Sequence, residues 1–338
     1  SPLALSWASG QEVITDWKPE MKQLDSYDVV IVAPATRNTI SKHIHGIMDS
    51  PIMMALSAAR GNKTPIVFVP SMHQDLFDDP VTSDLLQEIT LEGNYYFLDS
   101  EKEGRRKQPS PTVIVSKLSN LVNSFLPNRK KVAITLGATR APIDSVRAIQ
   151  NASSGKTGWA IAEYLFMRGH DVYCIAGKTS SQPTIELPNI IRAGSPEEML
   201  HESLSLAKSE IKPDVWIHSA AVLDYSMTPE KGKRPSGQDK WVIELQPTLK
   251  HIPELTDLVG DSIRIGFKLE TGVSEEELIQ KSLNQISKYG VDFVIANILE
   301  QIGDQNSPRA RLVSDEGDVK LLQDEIDICL EIEKIISE

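Results

Sequence analysis

Val132-Ala133-Ile134-Thr135-Leu136-Gly137-Ala138-Thr139-Arg140 and, after a polar stretch, Asn151-Ala152-Ser153-Ser154-Gly155-Lys156-Thr157-Gly158 decide how this chain is read. The first run is short, apolar and β-branched and stops at a glycine, the pattern of a buried strand. The second opens a helix pattern carried by Trp159, Ile161, Ala162 and Leu165, at helical spacing. Small residues and serine hydroxyls ahead of a helix leave N–H groups at the positive end of its dipole, which suits a polyphosphate. Taken alone, Ser153-Ser154-Gly155 is more often a plain cap than a ligand site, so the surroundings must decide.

Two linear motifs fail. Gly155-Lys156-Thr157 resembles the end of a P-loop, but Gln150 stands where the leading glycine is required. Gly137 does not begin a GxGxxG fingerprint either, because Thr139 takes the second glycine position and the helix opens much later.

Working outward, the same alternation of strand and helix recurs. Val29–Val32 and Ile66–Val69 precede it; Val172–Ile175, Val215–His218, Ile263–Gly266 and Phe293–Ala296 follow. The pattern predicts an α/β protein of two Rossmann-like domains, each a mainly parallel sheet with helices on both faces. Leu126-Pro127-Asn128-Arg129-Lys130-Lys131 joins a helix breaker to a charge cluster, placing the boundary between domains 1–127 and 128–338. Ser100 to Pro111 reads as a surface loop. Leu321 to Ile336 reads as an amphipathic closing helix.

The 338 residues are 40% hydrophobic and 24% charged, an ordinary globular composition for two domains. A net charge of −12 and a pI near 5.2 exclude a general affinity for nucleic acid or anionic membrane. Cys174 and Cys329 lie far apart in a buried strand and a helix pattern, which suggests neither a disulfide framework nor a zinc site. No apolar run reaches the roughly 18 to 20 residues of a membrane span and no secretory leader opens the chain, so a cytoplasmic protein is expected. The opening Ser1-Pro2-Leu3-Ala4-Leu5 gives the expectation that a natural N-terminal portion is missing.

The stretch from Gly137 through Thr139-Arg140, Pro142-Ile143-Asp144 and Val146-Arg147 to Asn151 and Ser153-Ser154-Gly155-Lys156 resembles the opening of phosphopantothenoylcysteine synthetases. Matches follow in order at Ala220-Ala221-Val222-Leu223-Asp224-Tyr225, Gly232-Lys233-Arg234-Pro235, Gly266-Phe267-Lys268-Leu269-Glu270-Thr271 and Asp292 to Asn297. The resemblance implies a ligase that activates 4'-phosphopantothenate with CTP or ATP and Mg2+, then joins it to L-cysteine. It casts Asn151 as the holder of the acyl-nucleotide carbonyl and Lys233, with Lys231 as rival, as the phosphate lysine. Nucleotide contacts fall on Gly137, Ser153, Ser154, Gly155, Gly158, Ala220, Ala221, Asp224, Phe267, Lys281, Lys288 and Asn297. Arg140, Asp144 and Arg147 belong to a substrate and dimer loop, implying a homodimer. Independently, Gly137, Ala220, Gly266 and Asn297 each end a strand pattern, where ligands collect in an open parallel sheet. A solvated helix face is the plain reading of each lysine. Leu223 and Lys268-Leu269 replace the usual alanines and leave CTP and ATP both open.

The first half, from Tyr27-Asp28-Val29-Val30-Ile31-Val32-Ala33-Pro34 through Asn38, Lys42 and Pro70-Ser71-Met72-His73, resembles the flavin-dependent phosphopantothenoylcysteine decarboxylase, which many microbes fuse ahead of the synthetase. Three departures point away from activity. Trp17 to Asp28 lacks the catalytic histidine, with Glu20 or Met21 near its place; His73 replaces the substrate asparagine; and the flap, shortened to Glu101 through Pro109, has no cysteine. A first strand and flavin loop are expected to precede Ser1. The half is therefore expected to lack FMN, with Asn38 and His73 as remnants of a pocket. Against the ligase stand a non-catalytic nucleotide-binding scaffold, an active two-step enzyme and, without a Tyr-x-x-x-Lys pair, a Rossmann oxidoreductase.

Overall fold

The computed structural model describes residues 1–17, 27–99, 108–237 and 240–338, with the backbone of 101–102 and 105–106. Glu20 and Met21, and part of the expected flap, lie outside the described residues. Two compact units, Ser1–Leu118 and Ser119–Glu338, divide the chain.

In the first unit, β1 (Val30–Ala35), β2 (Ile66–Pro70) and β3 (Tyr95–Tyr96) form a parallel sheet in that order. The middle strand is buried throughout, as a strand covered on both faces must be. Helices α1 (Arg37–Ile44), α2 (Pro51–Gly61) and α3 (Pro80–Leu91) bring Ile40, Met53, Leu56, Leu85 and Ile89 onto Phe68. Thr36 caps α1 by accepting from the Thr39 N–H, and Asp79, which caps α3, also binds Arg37 at 2.5 Å. Met72–His73 pairs with Arg105–Arg106, which pairs with Glu101–Lys102, so strand pairing occupies part of the stretch read as a loop.

Helix α4 (Pro111–Asn123) spans the division between units. The units part before Pro127 because Asn120 and Asn123 donate to the carbonyls of Phe166 and Met167, which end the next helix. Those amides satisfy acceptors that a helix terminus leaves open.

The second unit contains β4 (Lys131–Leu136), α5 (Lys156–Met167), β5 (Asp171–Ala176), β6 (Asn189–Arg192), α6 (Pro196–Lys208), β7 (Val215–His218), β8 (Ile263–Glu270), α7 (Glu275–Tyr289), β9 (Phe293–Ile298), β10 (Ala310–Ser314), β11 (Val319–Leu322) and α8 (Glu325–Ser337). The sheet order is β6-β5-β4-β7-β8-β9-β10-β11, parallel through β9 and antiparallel beyond it. Its parallel part has the doubly wound order, with the reversal between β4 and β7. Leu136, Ile134, Ile217, Leu165 and Ile161 meet α8's Ile328 and Ile332 in one core, while Trp216, Met199 and Leu255 fill the other face. The closing helix begins later than the sequence pattern suggests. Leu321 and Leu322 end β11 against β10, and Asp324 caps the helix by accepting from the Asp327 N–H.

The charge cluster before β4 is a clamp, not a loose linker. Arg129 donates to Glu333 at 3.1 Å and to the Arg168 carbonyl at 2.6 Å, and His170 Nε2 meets Glu333 at 2.6 Å. Burial raises the Glu333 pKa, but His170 and Arg129 outweigh it and hold the carboxyl below its ordinary value.

Candidate functional site at the switch point

Because β4 leads to β5 on one side and β7 leads to β8 on the other, the loops leaving β4 and β7 diverge across the carboxyl edge. Close to the sheet they are tied together. Ala221 N–H donates to the Gly137 carbonyl at 2.8 Å and Thr139 N–H to the Ala221 carbonyl at 3.1 Å. Ala138 exchanges backbone hydrogen bonds with Lys178 at 2.9 and 2.7 Å.

Gly137 has φ of +78° and no room for a side chain, since a Cβ there would lie 2.9 Å from the Lys178 carbonyl oxygen. Gly155, also at φ +78°, caps α5, and its missing Cβ would meet Thr179 at 2.5 Å. At Gly158 a Cβ would sit 2.5 Å from Leu136 Cβ, so this glycine lets α5 press onto the end of β4. The three glycines thus take in space the parts that a linear fingerprint plays in one turn. The Arg140–Pro142 and Ala148–Gln150 hairpin is inserted between the first and the other two. Ser153 and Ser154 accept from the N–H groups of Gly155 and Lys156, each at 3.3 Å, and no side chain caps Gly155 itself.

Asn151 follows the hairpin, half-buried, and donates through Nδ2 to the Ala221 carbonyl at 3.2 Å. The lysine loop is fastened to the same hairpin through Asp144, which is 2% exposed. Its carboxylate accepts from the N–H groups of Arg147 and Val146, each at 2.7 Å, and of Arg234 at 3.2 Å. The Arg147 guanidinium adds an ion pair at 2.5 Å. The Arg147 N–H foremost, with the other donors, holds the Asp144 pKa down at about 2 despite burial. Ser145 N–H donates to Gly232 and Glu230 N–H to Ile143. Lys231 and Lys233 flank Gly232, both exposed. Trp241, which the sequence reading passed over, lies beneath the guanidiniums of Arg147 and Arg234 at 5.2 and 4.9 Å.

Other expected residues are placed unevenly. Ala220 and Ala221 lie at the crevice, half-buried. Asp224 is exposed and paired with Lys250. Phe267 rests on the core beneath with its ring partly exposed. Lys281 reaches Glu270 at 2.7 Å, and Lys268 reaches the same carboxylate at 3.0 Å. Lys288 needs correction: α7 starts beyond the carboxyl end of β8 and returns to the amino end of β9, so its last turn sits at the opposite edge of the sheet. There the Lys288 ammonium lies 5.4 Å over Tyr289, away from the phosphate position expected of it.

Asn297, 7% exposed, accepts from Arg309 Nη1 at 2.8 Å. Arg309 Nη2 donates to Thr157 Oγ1 at 3.1 Å, and Thr157 donates in turn to Glu325 at 3.1 Å. Glu325 also pairs with Lys156 at 3.1 Å. Arg309 and Glu325 carry no sequence signal of their own, because folding brings them to Thr157 from 152 and 168 residues away. His218 ends β7 beside the crevice, but burial first, then His251 and Arg264, pushes its pKa down to about 3. The imidazole therefore stays neutral near neutral pH.

A cavity of about 720 Å3 adjoins the crevice, between the hairpin and the start of α6; Arg140, Arg147, Lys178, Ser195 and Glu197 help line it. A smaller one of about 310 Å3 shares Lys178 and adds Arg192. In the first unit Asn38 and His73 are both exposed.

A doubly wound sheet with a glycine-built switch point, a tethered lysine loop and a cavity lined by both cations and carboxylates is the arrangement of an α/β enzyme, with its candidate site at the carboxyl edge of the sheet. Residues 128–328 match the family model described as the DNA/pantothenate metabolism flavoprotein C-terminal domain, and residues 1–123 match the flavoprotein model. The chain is 35% identical over 313 residues to the coenzyme A biosynthesis bifunctional protein CoaBC of Thermococcus kodakarensis, covering 90% of this chain and 77% of the relative. It is 30% identical over 304 residues to the CoaBC protein of Methanocaldococcus jannaschii, covering 88% and 73%. The crystal structure of the DNA/pantothenate metabolism flavoprotein from Streptococcus pneumoniae superposes with a TM-score of 0.52 at 27% identity, over 61% of this chain and 98% of that one. The chain belongs to the CoaBC family of bifunctional coenzyme A biosynthesis proteins.

Proposed function

We propose that residues 128–338 form a phosphopantothenate–cysteine ligase and that residues 1–127 serve as architecture. The observation that carries this reading is the tethering of the lysine loop, through Asp144, to the hairpin that delivers Asn151 to the switch point. In the first step a carboxylate oxygen of 4'-phosphopantothenate attacks the α-phosphorus of CTP or ATP, and the bond to the leaving pyrophosphate breaks. In the second the cysteine amine attacks the acyl carbon, the bond to the nucleotide oxygen breaks and the amine loses a proton.

Both transition states gather negative charge. Lys233 or Lys231 offsets it on the phosphates, while Asn151 donates to the acyl carbonyl from the crevice wall. The N-terminal turn of α5 and the Ser153-Ser154-Gly155 backbone receive the polyphosphate. Phe267 and Ala220 bound the base, with Asp224 beside them. Arg140 and Arg147 in the adjoining cavity attract the phosphate of phosphopantothenate. Mg2+ enters with the nucleotide. Among the described residues no group of three or more His, Cys, Asp or Glu side chains converges on a metal position. When bound, the ion neutralises charge on the transferring group. A homodimer through the hairpin, as the resemblance implies, and CTP as the favoured nucleotide complete the reading.

The test is product identity with full-length protein, 4'-phosphopantothenate, L-cysteine and each triphosphate. Phosphopantothenoylcysteine, nucleoside monophosphate and pyrophosphate in equal amounts are expected. Nucleoside diphosphate and inorganic phosphate would point to a different activation, and no product with either triphosphate would leave a nucleotide-binding scaffold.

A further inference from the structure

Arg309 lies outside every motif quoted above, yet its guanidinium stands at the first turn of α5. It runs from Asn297, at the carboxyl end of β9, to Thr157, the second residue of that helix. The guanidinium fork offers more N–H groups than these contacts use. Nη1 and Nη2 each have one partner among the described residues, and the rest of the fork has none there. A cation with donors to spare, already attracted to the Glu325 carboxylate, is thus fixed where the nucleotide reading places the polyphosphate.

Glu325 has the opposite sign at the same place. Its carboxylate accepts from Thr157 Oγ1 and pairs with Lys156, both at the positive end of the helix dipole. A carboxylate there is favoured by the helix dipole and repels a phosphate that arrives. Arg309 and Glu325 both bond Thr157 Oγ1 and attract each other directly, so one hydroxyl links an attracting group to a competing one.

We propose that Arg309 is a nucleotide-binding residue that donates to the triphosphate at the start of α5, and that Glu325 is the internal anion with which the triphosphate competes. This deepens the ligase reading and rests on its placement of the polyphosphate. The two side chains then act on nucleotide affinity with opposite signs. A purely structural brace would lose affinity from either side.

The test is equilibrium binding of MgCTP and MgATP to the full chain by titration calorimetry, with no second substrate present. Arg309→Gln weakens binding about tenfold or more, the usual scale for a lost charge-assisted hydrogen bond. Arg309→Lys recovers part of that loss by restoring the charge. Glu325→Gln tightens binding by about two- to fivefold, the scale of a single charge at a helix terminus. Unchanged affinity in Arg309→Gln, or parallel weakening in Arg309→Gln and Glu325→Gln, overturns the proposal. Should Arg309→Gln fail to fold, Glu325→Gln decides alone: tighter binding supports the assignment, and equal or weaker binding overturns it. Wild-type protein that binds a triphosphate but forms no product defeats the ligase reading and leaves this one standing. Wild-type protein that binds neither triphosphate defeats both.

Discussion

Asp144 is the residue on which the proposed catalytic loop depends. The sequence marks it only as one position of a motif, whereas its buried carboxylate gathers three backbone N–H groups from two loops. Its pKa is depressed to about 2. Its contribution is therefore complete above the ordinary aspartate value of about 3.9 and fades only as pH falls through the folded value. Asp144→Asn imposes at neutral pH a loosening that the native loop meets only in strong acid. Steady-state kinetics of this variant should give a KM for the triphosphate raised about three- to tenfold, with a smaller effect on cysteine, because hydrogen bonds to a charged group are the stronger kind. An unchanged triphosphate KM would mean that the lysine loop holds its position without Asp144. Asn151 and Lys233 are legible in the sequence through its resemblance to phosphopantothenoylcysteine synthetases. Arg309, Glu325 and Trp241 are not, because each is defined by a partner that only folding supplies.

At the scale of elements, short apolar runs marked the central parallel strands well, since a strand buried on both faces must be apolar along its length. The added antiparallel edge was less legible. Leu321 and Leu322 fit helical spacing with the residues after them, and only pairing with β10 assigns them to a strand. Likewise, Arg129 looks like part of a linker until α8 packs across the sheet and supplies Glu333. That clamp ties the entry of the second unit to its final helix. Glu333 is 7% exposed, so Glu333→Ala strands Arg129 and His170 without an anion and should cost about 3 kcal/mol in denaturant unfolding. With a folded pKa below the ordinary glutamate value of about 4.3, Glu333 stabilises the fold above that value, and the gain is lost as pH falls through the folded pKa. Wild-type stability should therefore decline in acid below about pH 4, and Glu333→Ala should show less of that decline. Equal acid sensitivity in both proteins would remove the clamp from the account.

For the whole molecule, the order of strands is what turns scattered motifs into one site. Gly137, Gly155 and Gly158 are separated by a hairpin in sequence, and neither linear fingerprint applies, yet β4, β7 and α5 bring them together. Lys288 shows the converse, since helix direction carries a lysine of the expected helix to the opposite edge of the sheet. The flavoprotein-like half keeps a three-stranded parallel core while departing from the decarboxylase pattern at His73 and in the flap. Purified full-length protein should accordingly lack flavin absorbance near about 450 nm; a stoichiometric flavin band would restore the two-step reading. The central claim concerns Asn151 and the acyl-nucleotide, and it is tested most directly by single-turnover chemistry in Asn151→Asp with phosphopantothenate, the preferred triphosphate and cysteine. The account predicts that pyrophosphate is released and an acyl-nucleotide accumulates while its capture by cysteine slows by about a hundredfold, the usual scale for a lost carbonyl-holding donor. Full ligation at the wild-type rate would contradict it.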